Sequence, residues 1–294
     1  MKQGIKFIFE FLRVKQWVKN AFIFFPLIFS GKLFEDQALV NSLITFLGFC
    51  LTASSLYILN DYLDRDKDRL HPRKSQRPLA RMNVPGNIVK AIIAFLVMAG
   101  LFVSWQVNAA VFAAALFYIA LHLGYNFLAK RVVLIDVMFI ALGFQVRVWA
   151  GALTIEVIPS VWLQMCVFIL ALFLGFTKRR HEIKTLGDTA AHHRGVLSHY
   201  TVYLLDQIII ICSTLAIVFY GLYTMSAEMI ARLGHSMVYT VIFVIYGIFR
   251  YLYLSHVKKG GDDPGDVLAA DAPLLINVLL WILAICYLLY NPLR

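Results

Sequence analysis

The chain has 294 residues, of which 61% are hydrophobic and only 15% are charged. In soluble domains roughly half of the residues are apolar and about a quarter are charged, so this composition excludes an ordinary soluble domain. The formal charge of +10 is distributed unevenly along the chain. The four cysteines lie inside apolar runs without metal or redox spacing, and we interpret them as small buried hydrophobes: Cys50, Cys166, Cys212 and Cys286. Together these features predict an integral membrane protein.

Residues 1–15 are expected to form an interfacial helix at the N-terminus. Charged side chains recur at helical spacing from Lys2 to Arg13, with Ile5 and Ile8 on the other face. A plain basic flank that sets the topology of the first span explains the same residues equally well. The sequence leaves these two interpretations open.

Nine apolar segments are long enough to cross the hydrocarbon core of a bilayer, which takes about 20 helical residues. We predict spans at 18–34, 39–59, 88–107, 109–124, 132–153, 161–177, 203–225, 236–254 and 273–290. The predicted fold class is therefore all-α, a polytopic membrane protein of about nine transmembrane helices. Residues 1–294 are expected to form a single integral membrane domain.

The Lys and Arg residues are strongly biased to one side of these spans. All but four of the 27 fall on the same side, the exceptions being Lys32, Arg232, Arg294 and, within a span, Arg147. Cytoplasmic loops of membrane proteins carry such an excess, so the basic side is expected to be cytoplasmic. We expect an inner-membrane or cell-membrane protein with a cytoplasmic N-terminus and an extracytoplasmic C-terminus.

A cluster of acidic residues at the end of the second span gives the strongest chemical signal. Asn60, Asp61, Asp64 and Asp68 are spaced so that all four share one face of a helix. Like charges on one face repel, and a divalent cation removes that repulsion. Because Mg²⁺ prefers oxygen ligands and joins a few carboxylates to substrate phosphates, the motif predicts a magnesium-diphosphate site. A solvated, charged helix end is the plainer alternative.

A basic stretch follows the acids directly and reads His71-Pro72-Arg73-Lys74-Ser75-Gln76-Arg77-Pro78. Basic side chains beside a metal site suit phosphate oxygens that the metal leaves free, and arginine can bind them through two donors. Lys74 and Arg77 are the candidates here, with topology-setting positive charge as the alternative for each.

The acidic motif and its place in the chain resemble a known superfamily. An Asn-Asp-x-x-Asp-x-x-x-Asp motif that ends the second of nine spans is similar to that of the UbiA superfamily of intramembrane prenyltransferases. The resemblance implies a helical bundle with a cytoplasm-facing active-site cavity, in which two acidic loops hold Mg²⁺ and a polyprenyl diphosphate. The second acidic loop, after the sixth span, is replaced here by Lys178-Arg179-Arg180-His181-Glu182.

Further motifs resemble one branch of that superfamily, the decaprenyl-phosphate phosphoribosyltransferases. These motifs are Gln16-Trp17-Val18-Lys19-Asn20, Tyr125 followed by Lys130-Arg131, Ile135-Asp136-Val137, the stretch 143–152 around Arg147, and the basic stretch. The donor of that branch is phosphoribosyl diphosphate (PRPP), and the acceptor is a polyprenyl phosphate. This chain departs from the branch at Arg13-Val14-Lys15, where a proline is expected after the arginine.

The resemblance implies transfer of 5-phosphoribosyl from PRPP to a polyprenyl (decaprenyl-type) phosphate, with Mg²⁺ as cofactor, release of pyrophosphate and inversion at ribose carbon 1. One argument is independent of it. Two anionic substrates need more positive charge than a neutral aromatic acceptor does, and the cationic loop expected at 178–182 supplies that charge. The expected partners are PRPP, the polyprenyl phosphate and the membrane, without nucleic acid. The oligomeric state is left open, a homo-oligomer included.

The expected residue roles fall into three sets. Candidate catalytic residues are Lys19, Asp61, Asp64 and Asp136. Candidate metal ligands are Asn60, Asp61, Asp64 and Asp68. Candidate binding residues for PRPP or phosphate groups are Lys19, Asn60, Lys74, Arg77, Tyr125, Lys130, Arg147, Lys178, Arg179 and Glu182.

Three points stay open. Arg147 lies roughly 16 Å deeper than Asp136 along its helix, where it either pairs with an acid or lines the path of the lipid phosphate. Asp266 and Asp271 resemble acids of the branch, with helix capping as the alternative for Asp266. Prenyl transfer from a prenyl diphosphate to an aromatic or other acceptor is the alternative function. A transporter is disfavoured, because the ionisable groups crowd one face and only Arg147 is clearly deep.

Overall fold

The structure is a computed structural model that describes residues 2–70, 74–187, 195–257 and 264–291. His71, Pro72 and Arg73 of the basic stretch lie outside these residues. Every regular element in the described ranges is helical, which confirms the all-α prediction. The α-helices are α1 (Lys2–Phe11), α2 (Phe24–Phe29), α3 (Asp36–Leu63), α4 (Arg65–Arg69), α5 (Pro78–Arg81), α6 (Gly86–Val107), α7 (Ala109–Phe127), α8 (Ile135–Thr154), α9 (Val161–Leu186), α10 (Val202–Thr224), α11 (Ala227–Leu233), α12 (Val241–His256), α13 (Pro264–Ala270) and α14 (Ala272–Tyr290).

Within the described part of the chain, eight helices are long and apolar enough to cross a membrane. They cover Asp36–Leu63, Gly86–Val107, Ala109–Arg131, Ile135–Thr154, Val161–Leu186, Val202–Thr224, Ser236–His256 and Ala272–Tyr290. These eight match predicted spans two to nine, including the short fourth span. α3 and α8 are the most enclosed of the eight, whereas α14 is the least enclosed. The two enclosed helices carry the start of the acidic motif and Arg147.

The first predicted span, 18–34, is not a single α-helix. Val14–Ile23 form a 3-10 helix, which α2 continues for six residues. A 3-10 helix rises about 2.0 Å per residue against about 1.5 Å for an α-helix, so the two pieces extend roughly 29 Å, close to the hydrocarbon thickness. This segment is not among the eight membrane-length helices, so the count of nine spans stays a prediction.

Close packing holds the 3-10 helix against α8. A Cβ atom built on Gly151 would come 2.0 Å from the carbonyl oxygen of Ile23, so this approach leaves room for glycine alone. On the same segment, the side chain of Asn20 accepts a hydrogen bond from Arg147 of α8. Contacts with α8 therefore position the segment.

Small residues also bring α3 and α6 together. A Cβ atom on Gly100 of α6 would lie 2.3 Å from Thr52 Oγ1 and 2.9 Å from the carbonyl oxygen of Gly48, both on α3. Small residues let membrane helices approach closely, and the close approach strengthens their van der Waals packing. This contact anchors the helix on which the acidic motif begins.

Residues 178–182 were expected to form a cationic loop, and this prediction is wrong. These residues form part of α9, which continues to Leu186. Lys, Arg and Glu are good helix formers, and neither glycine nor proline interrupts the sequence between them and Gly187. The helix therefore fixes the directions in which Lys178, Arg179 and Glu182 point.

Candidate functional site

The structure brings most of the predicted site residues to the wall of one large cavity, about 1430 Å³ in volume. Twelve of the fourteen line it, namely Lys19, Asn60, Asp64, Asp68, Lys74, Arg77, Tyr125, Lys130, Arg147, Lys178, Arg179 and Glu182. The other two, Asp61 and Asp136, do not line it. Residues from distant parts of the sequence thus meet in one place.

One side of the cavity is formed by the acidic motif, which is interrupted at Asp64 between α3 and α4. The side chains of Asn60, Asp64 and Asp68 line the cavity, in agreement with their i, i+4, i+8 spacing. Lys130 Nζ lies 3.1 Å from Asp64 Oδ1 and brings positive charge to the same place. We call Asn60, Asp64 and Asp68 the acidic wall.

Asp61 does not line the cavity. Its carboxylate is buried, with Arg13 Nε 3.0 Å from Oδ2 and Arg77 Nη1 2.9 Å from Oδ1. The same nitrogen of Arg77 lies 2.6 Å from Asp68 Oδ2. Both oxygens of Asp61 are therefore occupied by arginines. Asn60, Asp64 and Asp68 thus reach the cavity directly, whereas the metal-binding role expected of Asp61 stays a prediction.

Arg13 lines this cavity, although the sequence indicated it as part of an N-terminal helix or basic flank and, by resemblance, as the arginine before an expected proline. It follows α1 with a left-handed backbone (φ 54°), and its guanidinium carbon lies 5.7 Å from the ring centroid of Tyr57. Burial lowers the pKa of Arg13, and the carboxylate of Asp61 opposes that shift. In the sequence, an arginine just before the first span is indistinguishable from a charge that sets topology.

The acidic wall suits Mg²⁺ bound together with a phosphate ligand. Within the residues that the structure describes, no group of three or more His, Cys, Asp or Glu side chains converges as a metal site. Mg²⁺ usually keeps several waters and takes one or two carboxylates plus substrate phosphates. Asp64, Asp68 and the amide oxygen of Asn60 offer that number of hard donors on one side of the cavity.

A second buried network joins α8 to α9. Asp136 is fully buried and accepts hydrogen bonds from Arg179 Nε at 2.7 Å and from Tyr200 Oη at 2.8 Å. Arg179 Nη1 donates to Glu182 Oε2 at 2.8 Å, whereas its buried Nη2 has no partner among the described residues. Burial also raises the pKa of Tyr200.

This network changes the role expected of Asp136. Arg179 lines the cavity, but Asp136 lies behind it and does not. Asp136 therefore positions Arg179, and the catalytic role expected of Asp136 stays a prediction.

Arg147 is almost fully buried and uses neutral partners. Its Nε donates to Asn20 Oδ1 at 2.7 Å, its Nη1 to the carbonyl of Gly143 at 2.7 Å, and its Nη2 to the hydroxyl of Tyr118 at 2.5 Å. No carboxylate in the described ranges pairs with it. The alternative that it pairs with an acid is wrong, and its side chain lines the cavity.

The two acids near the last helix have different places. Asp271 caps α14 by accepting from the backbone N–H of Leu274 at 3.0 Å, and it pairs with Arg250 through both oxygens at 3.0 and 2.8 Å. Asp266 lies in the first turn of α13 and lines the cavity. Asp271 is therefore structural, whereas Asp266 belongs to the cavity wall.

Two polar residues of α7 line the cavity without having been singled out in the sequence. His122 and Asn126 lie four residues apart, one helical turn, at the end of an apolar run. Their position near Tyr125 on the same helix could have indicated that they line the site. A lone histidine or asparagine in an apolar run, however, more often serves packing.

Comparison with known proteins agrees with this geometry. The UbiA prenyltransferase family matches residues 23–265 of the chain. The decaprenyl-phosphate phosphoribosyltransferase of Mycolicibacterium smegmatis is 30% identical over 291 residues, which cover 96% of this chain and 92% of that protein. The protein of the same name from Corynebacterium glutamicum is 29% identical over 95% of this chain and 85% of its own length.

A solved structure shows the same fold. A UbiA homologue from Archaeoglobus fulgidus, bound to GPP and Mg²⁺, superposes with a TM-score of 0.72 and covers 96% of this chain and 98% of its own. The sequence identity is 16%, so this likeness concerns the fold alone. The resemblance that the motifs indicated is confirmed by the family match and the curated relatives. The chain belongs to the UbiA prenyltransferase family of membrane transferases.

Proposed function

We propose that this enzyme transfers the 5-phosphoribosyl group of PRPP to a decaprenyl-type polyprenyl phosphate and releases pyrophosphate. The observation that carries the proposal is the charge of the cavity wall. Four acids line it, against ten Lys and Arg residues, namely Arg13, Lys19, Lys67, Lys74, Arg77, Lys130, Arg131, Arg147, Lys178 and Arg179. Such an excess suits two anionic substrates better than one anionic and one neutral substrate.

Two relatives that are similar over almost the whole chain support the choice of substrates. Both are named decaprenyl-phosphate phosphoribosyltransferases, which implies a phosphoribosyl group and a polyprenyl phosphate. The basic residues of α9 add to this, because they stand where the superfamily resemblance implies an acidic loop.

We assign the diphosphate of the donor to the acidic wall. Asn60, Asp64 and Asp68 would hold Mg²⁺ there, and bound Mg²⁺ neutralises charge on the departing pyrophosphate. Lys74, Arg77, Lys130 and Tyr125 would bind the remaining phosphate oxygens. Asp61 stays a candidate for catalysis through Arg13 and Arg77, whose guanidinium groups it holds beside the wall.

The transfer needs positioning more than acid–base chemistry. As the bond from ribose carbon 1 to pyrophosphate breaks, the sugar develops oxocarbenium character. An oxygen of the acceptor phosphate attacks the opposite face, so carbon 1 is inverted and pyrophosphate leaves with the bonding electron pair. The attacking oxygen is already ionised near neutral pH. Lys19, Lys178, Arg179 and Glu182 serve to place the two anions for this attack.

We place the reaction at the cytoplasmic face. Most Lys and Arg residues fall on the side of the bundle where α3, α7 and α9 end, and such an excess marks the cytoplasmic side. The N-terminus is then cytoplasmic, and the C-terminus is extracytoplasmic if residues 14–29 cross the membrane.

The test is an assay of the purified protein with labelled PRPP and a polyprenyl phosphate. We expect a lipid-linked phosphoribosyl product that is lost when divalent cations are chelated. Asp64→Asn removes charge from the acidic wall without changing its size, so it should lower kcat by at least about 100-fold. Asp66→Asn, in the same motif but exposed and outside the cavity, should keep the wild-type rate.

One alternative is decided by the same assay. Prenyl transfer from a prenyl diphosphate to an aromatic or other acceptor is the alternative, because the matching family is named for prenyltransferases. Prenylation of such an acceptor, with no product from PRPP, would replace our proposal by that one.

A further inference from the structure

Three basic side chains outside the acidic motif and the basic stretch line the cavity. Lys19 comes from the 3-10 helix, His122 from α7 and Arg147 from α8, and all three line the cavity. We call them the deep basic cluster. Arg147 lies 12 residues beyond the start of α8 at Ile135, which is roughly 18 Å along the helix.

Tyr118 contacts both His122 and Arg147. Its ring centroid lies 4.4 Å from that of His122 and 4.7 Å from the guanidinium carbon of Arg147. A Cβ atom built on Gly143 would lie 3.5 Å from Arg147 Nη1 and 3.8 Å from His122 Nε2, so both nitrogens border the same space. Lys19 directly precedes Asn20, which accepts from Arg147 Nε.

Arg147 has unused donors, and no carboxylate among the described residues pairs with it. A guanidinium has five N–H groups, and Arg147 donates three hydrogen bonds to neutral partners. The ring nitrogens of His122 make no hydrogen bond to any residue that the structure describes. A buried positive charge without a carboxylate is costly inside a membrane and usually marks a functional site. An anionic ligand in the cavity supplies the missing charge.

We propose that the deep basic cluster binds a phosphate monoester group, at a site separate from the diphosphate held at the acidic wall. The inference rests on the proposed function, in which both substrates carry such a group. PRPP carries one on carbon 5 of its ribose, and the acceptor lipid carries one as its head. In either case the cluster orients that substrate across the depth of the cavity.

Steady-state kinetics distinguish the two sources of the phosphate. Arg147→Gln and His122→Phe, which keeps an aromatic ring beside Tyr118, are compared with Arg81→Gln, an exposed charge outside the cavity. If the cluster holds the donor, Arg147→Gln raises the KM for PRPP at least about tenfold but leaves that of an analogue without the 5-phosphate unchanged. If it holds the acceptor, the KM for the lipid rises instead. His122→Phe should follow Arg147→Gln with a smaller increase. A lower kcat with both KM values within about twofold of wild type would overturn the proposal.

A binding measurement keeps the test independent of turnover. Inorganic phosphate should raise the Tm of the wild type and of Arg81→Gln in detergent but not that of Arg147→Gln, and Arg147→Lys should recover part of the shift. Equal shifts in all variants would refute the cluster as an anion site. If the wild type transfers nothing from PRPP, the proposed function fails, while this measurement still decides on the cluster.

Discussion

Arg147 and Arg179 are both almost fully buried and both line the cavity, yet their charges are balanced in opposite ways. Arg179 lies between the carboxylates of Asp136 and Glu182. Arg147 donates to an amide, a carbonyl and a hydroxyl. The difference shows that two arginines can be equally buried in one cavity wall and still differ in whether carboxylates balance their charge.

The largest effect should come from removing each arginine in turn. Arg179→Met leaves two buried carboxylates without their cation, so it should lower the free energy of unfolding by about 3–5 kcal/mol. Arg147→Met leaves only neutral groups unpaired and removes a buried charge that no carboxylate balances, so it should cost less than Arg179→Met. Denaturant unfolding in matched detergent measures both. Equal losses would show that the charge of the partners does not decide how much a buried arginine contributes to stability.

A smaller effect is expected at the edge of the Arg179 network. Tyr200→Phe removes the hydroxyl that donates to Asp136 and should cost about 1.5–3 kcal/mol. Because burial raises the pKa of Tyr200, its contribution is present below about pH 10 and is lost as the pH rises further. Unfolding measured on both sides of that pH checks the sign. Tyr239→Phe, at an exposed hydroxyl, is the control and should change stability by less than about 0.5 kcal/mol.

The smallest effect should be seen at an exposed ion pair of the same motif. Asp66 and Arg69 lie 3.2 Å apart and are both exposed to solvent. Asp66→Asn should therefore cost at most about 1 kcal/mol, and less at high salt. A loss as large as that of Arg179→Met would show that exposed ion pairs stabilise the fold as strongly as buried ones.

Features that depend on local spacing could be predicted from the sequence. Apolar runs gave the positions of spans two to nine, because hydrocarbon thickness sets helix length. The i, i+4, i+8 spacing of Asn60, Asp64 and Asp68 predicted the acidic wall, and the interruption at Asp64 leaves all three side chains on the cavity. The depth of Arg147 followed from counting residues along one helix.

Features that depend on partners far along the chain could not be predicted. Asp61 turns to Arg13 and Arg77, and nothing in the acidic motif distinguishes it from Asp64. Asp136 meets Arg179 across 43 residues, so its place behind the cavity wall was hidden. The predicted sixth span ended at 177, whereas α9 continues to Leu186. Charged residues mark the limit of an apolar run, but they do not end a helix.

The contact between Gly151 and the 3-10 helix limits which residues can occupy position 151. The backbone hydrogen bonds of a 3-10 helix have poorer geometry than those of an α-helix, so the segment that presents Lys19 relies on its neighbour for its position. A methyl group at residue 151 would have to displace the carbonyl of Ile23, four residues from Lys19. A substitution at Gly151 would thus disturb the cavity wall at Lys19, although Gly151 itself does not line the cavity.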